Sequence, residues 1–148
     1  MASTITLVNN LSKYLGDGTL DWDDDDVRCA MLANSYTVNA AHSVFADVSS
    51  AEVAAGGGYS AGGVLLANKS ISLVGNVSHY SADPATWAAL TKTYRFLALY
   101  ADKTVNALVN PLIGIILVNN TPADIVISGA DYSVQWNAAG IFTIGQAA

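Results

Sequence analysis

Pro111-Leu-Ile-Gly-Ile-Ile-Leu-Val118 decides how the rest of the chain reads. Its proline comes first, branched apolar side chains follow, and Asn119-Asn120 ends the run. The run is far shorter than the roughly 20 apolar residues of a membrane-spanning helix. Its composition makes it the most apolar strand of the chain. Proline is tolerated at such a position because no ladder donor is needed there. Two similar stretches flank it, Tyr94-Arg-Phe-Leu-Ala-Leu-Tyr100 and Trp136-Asn-Ala-Ala-Gly-Ile-Phe-Thr-Ile144. Each is bounded by Asn, Gly, Asp or Pro, and none leads into an amphipathic helix. The pattern predicts an all-β domain.

The same reading extends outward. Residues 3–8 predict a short strand. Asn10 predicts a cap for a brief helix carrying the Leu11 and Leu15 pair, which Gly16-Asp17-Gly18 stops. Residues 27–33 are apolar on both faces and predict an internal strand. The signal weakens over residues 37–63, where residues 40–46 favour helix and residues 49–52 suit one helical turn. Gly56-Gly-Gly-Tyr-Ser-Ala-Gly-Gly63 is a loop by composition. Residues 70–74 and 77–81 predict a hairpin about Gly75-Asn76, with Ile71 and Leu73 on a half-buried face. Residues 82–84 predict a turn, residues 93–101 one strand, and residues 102–110 a loop. Residues 125–128, 132–136 and 140–144 predict closing strands, the last two joined by an Asn137–Gly140 hairpin loop. About eight to ten strands result, with one or two short helices. The expected fold is all-β, a mainly antiparallel sandwich or partly closed barrel.

The chain has 148 residues, which suits a single β domain over residues 1–148, with residues 1–9 a possible extended arm. Charged residues are only 12% of the chain, about half the usual share, so either the core is large or partners cover much of the surface. The formal net charge is −6, and the basic residues Lys13, Arg28, Lys69, Lys92, Arg95 and Lys103 are scattered. Phosphate backbones need clustered cations, so nucleic acid is not an expected partner. No apolar stretch reaches membrane-spanning length, so no membrane partner is expected. The opening MASTITLVNN has no basic segment and no sustained apolar segment of a secretory signal, so assembly in a cytoplasm is expected. The single cysteine, Cys29, lies in an apolar run, where a buried thiol is expected.

No residue set predicts catalysis, a cofactor or a metal. Asp21-Trp-Asp-Asp-Asp-Asp26 places carboxylates at alternate positions, as a calcium loop does. It lacks the glycine at the sixth position, where Asp26 stands, and Leu32 occupies the twelfth, where a bidentate Glu belongs. A solvated turn is the simpler reading. His42 and His79 have no partner at metal-ligand spacing. Gly58-Tyr-Ser60-Ala-Gly62 spells the nucleophile elbow but lacks its strand before and helix after. The glycine tract lacks the GK[ST] ending of a phosphate loop. Outside the acidic area, Asp47, Glu52, Asp83, Asp102, Asp124 and Asp131 are the acids available for a hydrolytic pair. Trp22, Trp87 and Trp136 suit a sugar site less well than core or subunit contacts.

Several segments, taken in order, resemble a family of tailed-phage virion structural proteins. They are the acidic lead-in from Leu15 through Leu20-Asp-Trp-Asp to Val27, Ser35-Tyr-Thr37, Phe45-Ala-Asp-Val48 with Glu52-Val53, and Gly58-Tyr-Ser-Ala-Gly-Gly63 with Leu66-Ala-Asn-Lys69. Asp83 to Trp87, residues 94–100, Pro111-Leu-Ile-Gly114 and Gln135-Trp-Asn-Ala-Ala-Gly-Ile-Phe142 follow. The chain departs from the pattern over residues 118–131. The resemblance implies a particle component, in the capsid or in the tail. The favoured expectation is a non-enzymatic capsid decoration or cement protein that binds the major capsid protein and self-associates, a trimer being one form that threefold shell positions would suit. Its place would be the virion. A tail, neck or baseplate component is the alternative within the particle, and a small carbohydrate-binding or hydrolytic domain is the alternative of another class. The Gly56–Gly63 loop and residues 1–9 are the expected partner contacts.

Overall fold

The computed structural model describes residues 3–145. In chain order the elements are β1 (Thr4–Leu7), α1 (Leu11–Gly16), β2 (Val27–Leu32), β3 (Val64–Leu65), β4 (Ser70–Val74), β5 (Val77–Ser81) and β6 (Ala85–Tyr94). Then come β7 (Phe96–Ala101), β8 (Thr104–Val105), β9 (Leu108–Val109), β10 (Leu112–Leu117), β11 (Ile125–Val134) and β12 (Phe142–Gly145). Single 3-10 turns stand at Phe45–Asp47 and Ser49–Ala51. The fold is all-β and antiparallel, and the described strands form no closed barrel.

The most apolar segments find one another. The main sheet has the order β1-β10-β7-β2-β3, so β7 lies between β10 and β2. All six residues of β7 are buried, as are five of six in β10 and in β2. Two-sided burial explains why these strands read as continuous apolar runs and not as alternations. Across β2 and β7, Cys29 lies opposite Leu99 and Ala30 opposite Ala98. The outer elements cover this centre. Phe45 stacks on Tyr100 with ring centroids 4.1 Å apart. Trp22, 1% exposed, meets Tyr80 and Phe142 edge-on, and those two stack on each other.

A three-stranded sheet β12-β5-β4 and two ribbons, β11-β6 and β8-β9, complete the described strands. The strand expected over residues 93–101 is divided between sheets. Tyr94 closes β6 and pairs with Ile125, whereas Phe96 opens β7 and pairs with Leu32 and Leu117. Arg95 turns the corner; its N–H donates to the Leu32 carbonyl at 2.9 Å and its Nε pairs with Asp124 at 2.8 Å. Residues 86–90, left without an element by the sequence, belong to the ten-residue β6. The two strands expected at 125–128 and 132–136 are one, β11, bent by register shifts about Ala130. Gly129 (φ +64) and Ala89 (φ +47) form the bend; the Ala89 N–H is held by Asp131 Oδ1 at 2.9 Å. Residues 137–140 are a crossover and not a hairpin loop, because β11 pairs with β6 while β12 pairs with β5. Residues 102–110 contain the small β8–β9 hairpin.

Other local expectations fare differently. α1 forms with Leu11 buried, but Asn10 supplies no side-chain cap; its Nδ2 lies 3.4 Å from the Tyr14 hydroxyl instead. Residues 40–46 form no α-helix. The Gly75-Asn76 hairpin forms, yet every residue of β4 is exposed, where Ile71 and Leu73 were expected to be half-buried. Of the possible arm at residues 1–9, Thr4–Leu7 is the edge strand β1, paired along β10, and Val8 is buried. Met1 and Ala2 lie outside the described residues.

Gly63 permits the closest approach in the fold. It has φ +80, and a Cβ there would stand 2.0 Å from the Cys29 carbonyl oxygen and 2.6 Å from the Ala30 Cα. Those are backbone atoms of the central strand β2 and cannot swing aside. Gly63→Ala is expected to destabilise the protein by about 3 kcal/mol or more. Gly16→Ala meets nothing within 4 Å and is expected to be neutral or stabilising by up to about 1 kcal/mol. Urea unfolding midpoints of the two variants check the contrast.

Candidate functional site

The glycine loop is built inward. Glu52 follows the Ser49–Ala51 turn, and its Oε1 accepts the Tyr59 O–H at 2.7 Å and the Gly62 N–H at 2.5 Å. The Tyr59 hydroxyl in turn accepts the buried Met31 N–H of β2 at 3.0 Å. Burial first, and the Glu52 carboxylate second, push the Tyr59 hydroxyl far above its ordinary value, so it remains a donor to Glu52. Tyr100 donates to the Gly62 carbonyl at 2.7 Å, and Thr91 of β6 donates its N–H to the Gly57 carbonyl at 2.7 Å. The loop therefore ties β2 to β6. Expected as a partner-contact loop, it carries an internal clasp, although Ser60 and Ala61 remain exposed on its outer side.

Ser60 is not an elbow nucleophile. Its carbonyl accepts the Gly63 N–H at 3.0 Å within the turn, and both histidines are engaged elsewhere. His79 donates Nδ1–H to the Ala139 carbonyl at 2.6 Å. His42 Nδ1 lies 2.9 Å from the Tyr36 hydroxyl. A shallow hollow of about 580 Å³ holds Tyr36, His42, Asp47 and Ser50. Asp47 Oδ2 accepts the Ser43 N–H at 2.8 Å and the Val44 N–H at 3.2 Å, and these bonds hold its carboxyl below the ordinary 3.8. The carboxylate is thereby committed to its own turn. The arrangement pairs the Tyr36 hydroxyl with His42 but brings no serine or threonine hydroxyl into hydrogen-bond reach of it among the described contacts.

The acidic run is likewise a turn. Asp21 Oδ1 accepts the N–H of Asp23 at 3.1 Å and of Asp24 at 3.3 Å, and Asp25 Oδ2 accepts the Asp21 N–H at 2.8 Å. Lys103 then approaches both Asp25 oxygens, at 2.9 and 2.8 Å. Arg28 reaches Asp102 at 2.6 Å. Lys103 thus pins one loop to another, and Arg28 pins a loop to β2. Among the described residues no His, Cys, Asp or Glu cluster is suited to a metal ion. Cys29 is fully buried, and burial pushes its thiol well above the ordinary range, so it is not a nucleophile.

Trp22 and Trp87 are core side chains. Trp136 is half-buried, anchored by Nε1 to the Asp83 carbonyl at 2.9 Å, and lines a groove of about 650 Å³. Ile5, Leu7, Ile116, Tyr132 and Phe142 form its apolar walls. The sequence missed this groove because its walls come from segments more than a hundred residues apart. No helix among the described residues is long and apolar enough to cross a membrane.

No protein-family model, curated protein or solved structure matches the chain.

Tyr59→Phe strands the Met31 N–H and leaves Glu52 one donor short, so it is expected to destabilise by about 1–3 kcal/mol in urea. Asp47 behaves differently with pH. A lowered folded pKa contributes stability above the unfolded value, lost as pH falls through the folded value. Asp47→Ala is expected to be less stable at pH 7 by about 1 kcal/mol or less, since water screens this exposed group. The gap to the unmodified protein should narrow as pH drops below 3.8, read by thermal melts at several pH values.

Proposed function

We propose that this chain is a non-enzymatic structural protein of a tailed-phage particle, a capsid decoration or cement protein that binds the outer shell through the major capsid protein and through its own copies. The ordered run of family-like segments along the chain suggests the class. The observation that carries the mechanism is a tightly clasped β body that turns uncharged, apolar side chains outward. Leu73 is 71% exposed, Val126 72% and Val74 62%. Meanwhile Asp21, Asp25, Asp47, Glu52, His42 and His79 serve turns and loops. Small uncharged surface residues leave little polar hydration to remove when subunits meet. Many copies with individually weak contacts would stiffen a shell by acting together.

Electron microscopy of intact particles carrying the labelled protein tests this. Density over seams between shell subunits, and shells that rupture at lower temperature when the protein is missing, are the expected results. Density confined to the tail, neck or baseplate would move the protein within the particle. Its absence from particles, together with saturable sugar binding that Trp136→Ala abolishes, would replace the reading with a carbohydrate-binding one.

A further inference from the structure

β4 is the outer strand of its sheet, so among the described residues one side of its backbone faces no other strand. The hairpin determines which groups lie on that side. Val74 pairs with Val77 across the two-residue turn, whose Gly75 has φ +63. Residues flanking such a turn exchange both hydrogen bonds, and the pairs alternate from there. Val74, Ser72 and Ser70 therefore aim their N–H and C=O groups at β5, while Leu73 and Ile71 aim theirs outward.

The same two residues carry the unfinished apolar face. Ile71 lies opposite Tyr80, which lies opposite Phe142, and Trp22 covers those two aromatics. Beyond Tyr80 the sheet overhangs its cover, leaving Ile71 43% and Leu73 71% exposed. Edge strands are normally guarded by a lysine, a proline or a bulge. Ser70-Ile-Ser-Leu-Val74 contains no charge and no proline, and pairs with β5 without a register break.

We propose that β4 pairs with β4 of a second copy, antiparallel about a twofold axis through Ser72, joining two three-stranded sheets into one of six strands. In this register Ile71 and Leu73 exchange hydrogen bonds with Leu73 and Ile71 of the second copy, so every outward group finds its complement. Lys69 falls opposite Gly75, so no like charges meet. A register two residues shorter sets Lys69 against Leu73, and one two residues longer runs Ile71 onto the Gly75 turn. The occupant is another copy because the uncharged edge is its own complement in backbone direction, side-chain size and charge. A contact limited to one five-residue strand is weak alone and effective among copies held close together. It deepens the assembly reading above, giving a twofold contact beside any threefold one.

Ser72→Cys in the full chain tests it. Cys29 is fully buried, so the new thiol is the accessible one. Opposed residues of a non-hydrogen-bonded pair have Cα atoms about 4.5 Å apart, within disulfide range. Under mild oxidation Ser72→Cys is expected to form disulfide dimers roughly tenfold faster than Ser70→Cys, whose equivalents lie far apart along the paired strands. Adding Leu73→Lys should remove the advantage, with circular-dichroism melts showing each variant folded. Ser72→Cys no faster than Ser70→Cys, or unaffected by Leu73→Lys, overturns the pairing and leaves the edge to a strand of another polypeptide. Sedimentation of the protein without an added cysteine gives an independent reading: average mass should rise with concentration more steeply in the unmodified chain than in Leu73→Lys, and an unchanged slope overturns the pairing. Rapid cross-linking by a protein absent from particles would sink the proposed function and keep the pairing. Slow cross-linking by a particle-bound protein would do the reverse.

Discussion

The pairing of β2, β7 and β10, with both faces sealed from water, is the constraint on which the rest depends. A strand covered on two sides can show neither side to solvent, so β7 carries no charged residue among Phe96–Ala101, and its one hydroxyl, on Tyr100, donates to the Gly62 carbonyl. Each fully buried large aliphatic side chain contributes about 1.5–3 kcal/mol from area removed from water. That gain requires other segments to cover both faces. Coverage comes from short and irregular pieces: the Phe45 ring, the glycine loop, α1, and the aromatic group of Trp22, Tyr80 and Phe142. The outer elements are thus consequences of the central strands' need for shelter.

Backbone-to-side-chain clasps make this irregular cover specific. Glu52, Tyr59 and Met31 form a chain of hydrogen bonds that ends on a buried strand N–H. A buried donor left unmatched costs more than a matched one contributes, so this clasp selects one loop position. Asp21, Asp25 and Asp47 do the same at the surface, each closing a turn with its carboxylate. Acidic residues that resemble chemistry in the sequence are used as architecture.

A body so thoroughly closed makes the exceptions informative. Most exposed apolar residues of large size lie on strands at the margin: Leu65 on β3, Ile71, Leu73 and Val74 on β4, Val109 on β9 and Val126 on β11. On β4 the open backbone and the uncovered side chains coincide, which distinguishes it from a scattered surface leucine. A rigid interior with a soft apolar rim suits a protein that joins neighbours, and the low charge content fits that division.

By itself the sequence determined the class and the centre. The apolar runs at Val27, Phe96 and Leu112 read as short strands because each is rich in branched or aromatic residues and bounded by turn residues. The Gly75-Asn76 hairpin, the short helix at Leu11 and the burial of Cys29 followed from local patterns. Tertiary structure alone decided where strands change sheets. Nothing local marks Arg95 as a corner, because its cause is Asp124 and Leu32, far away along the chain. It also decided that the glycine loop packs inward, through Cys29 and Thr91, and that Ile71 and Leu73 project past the edge of their cover. Periodicity reports which residues share a face; only the packed neighbours determine whether that face is covered.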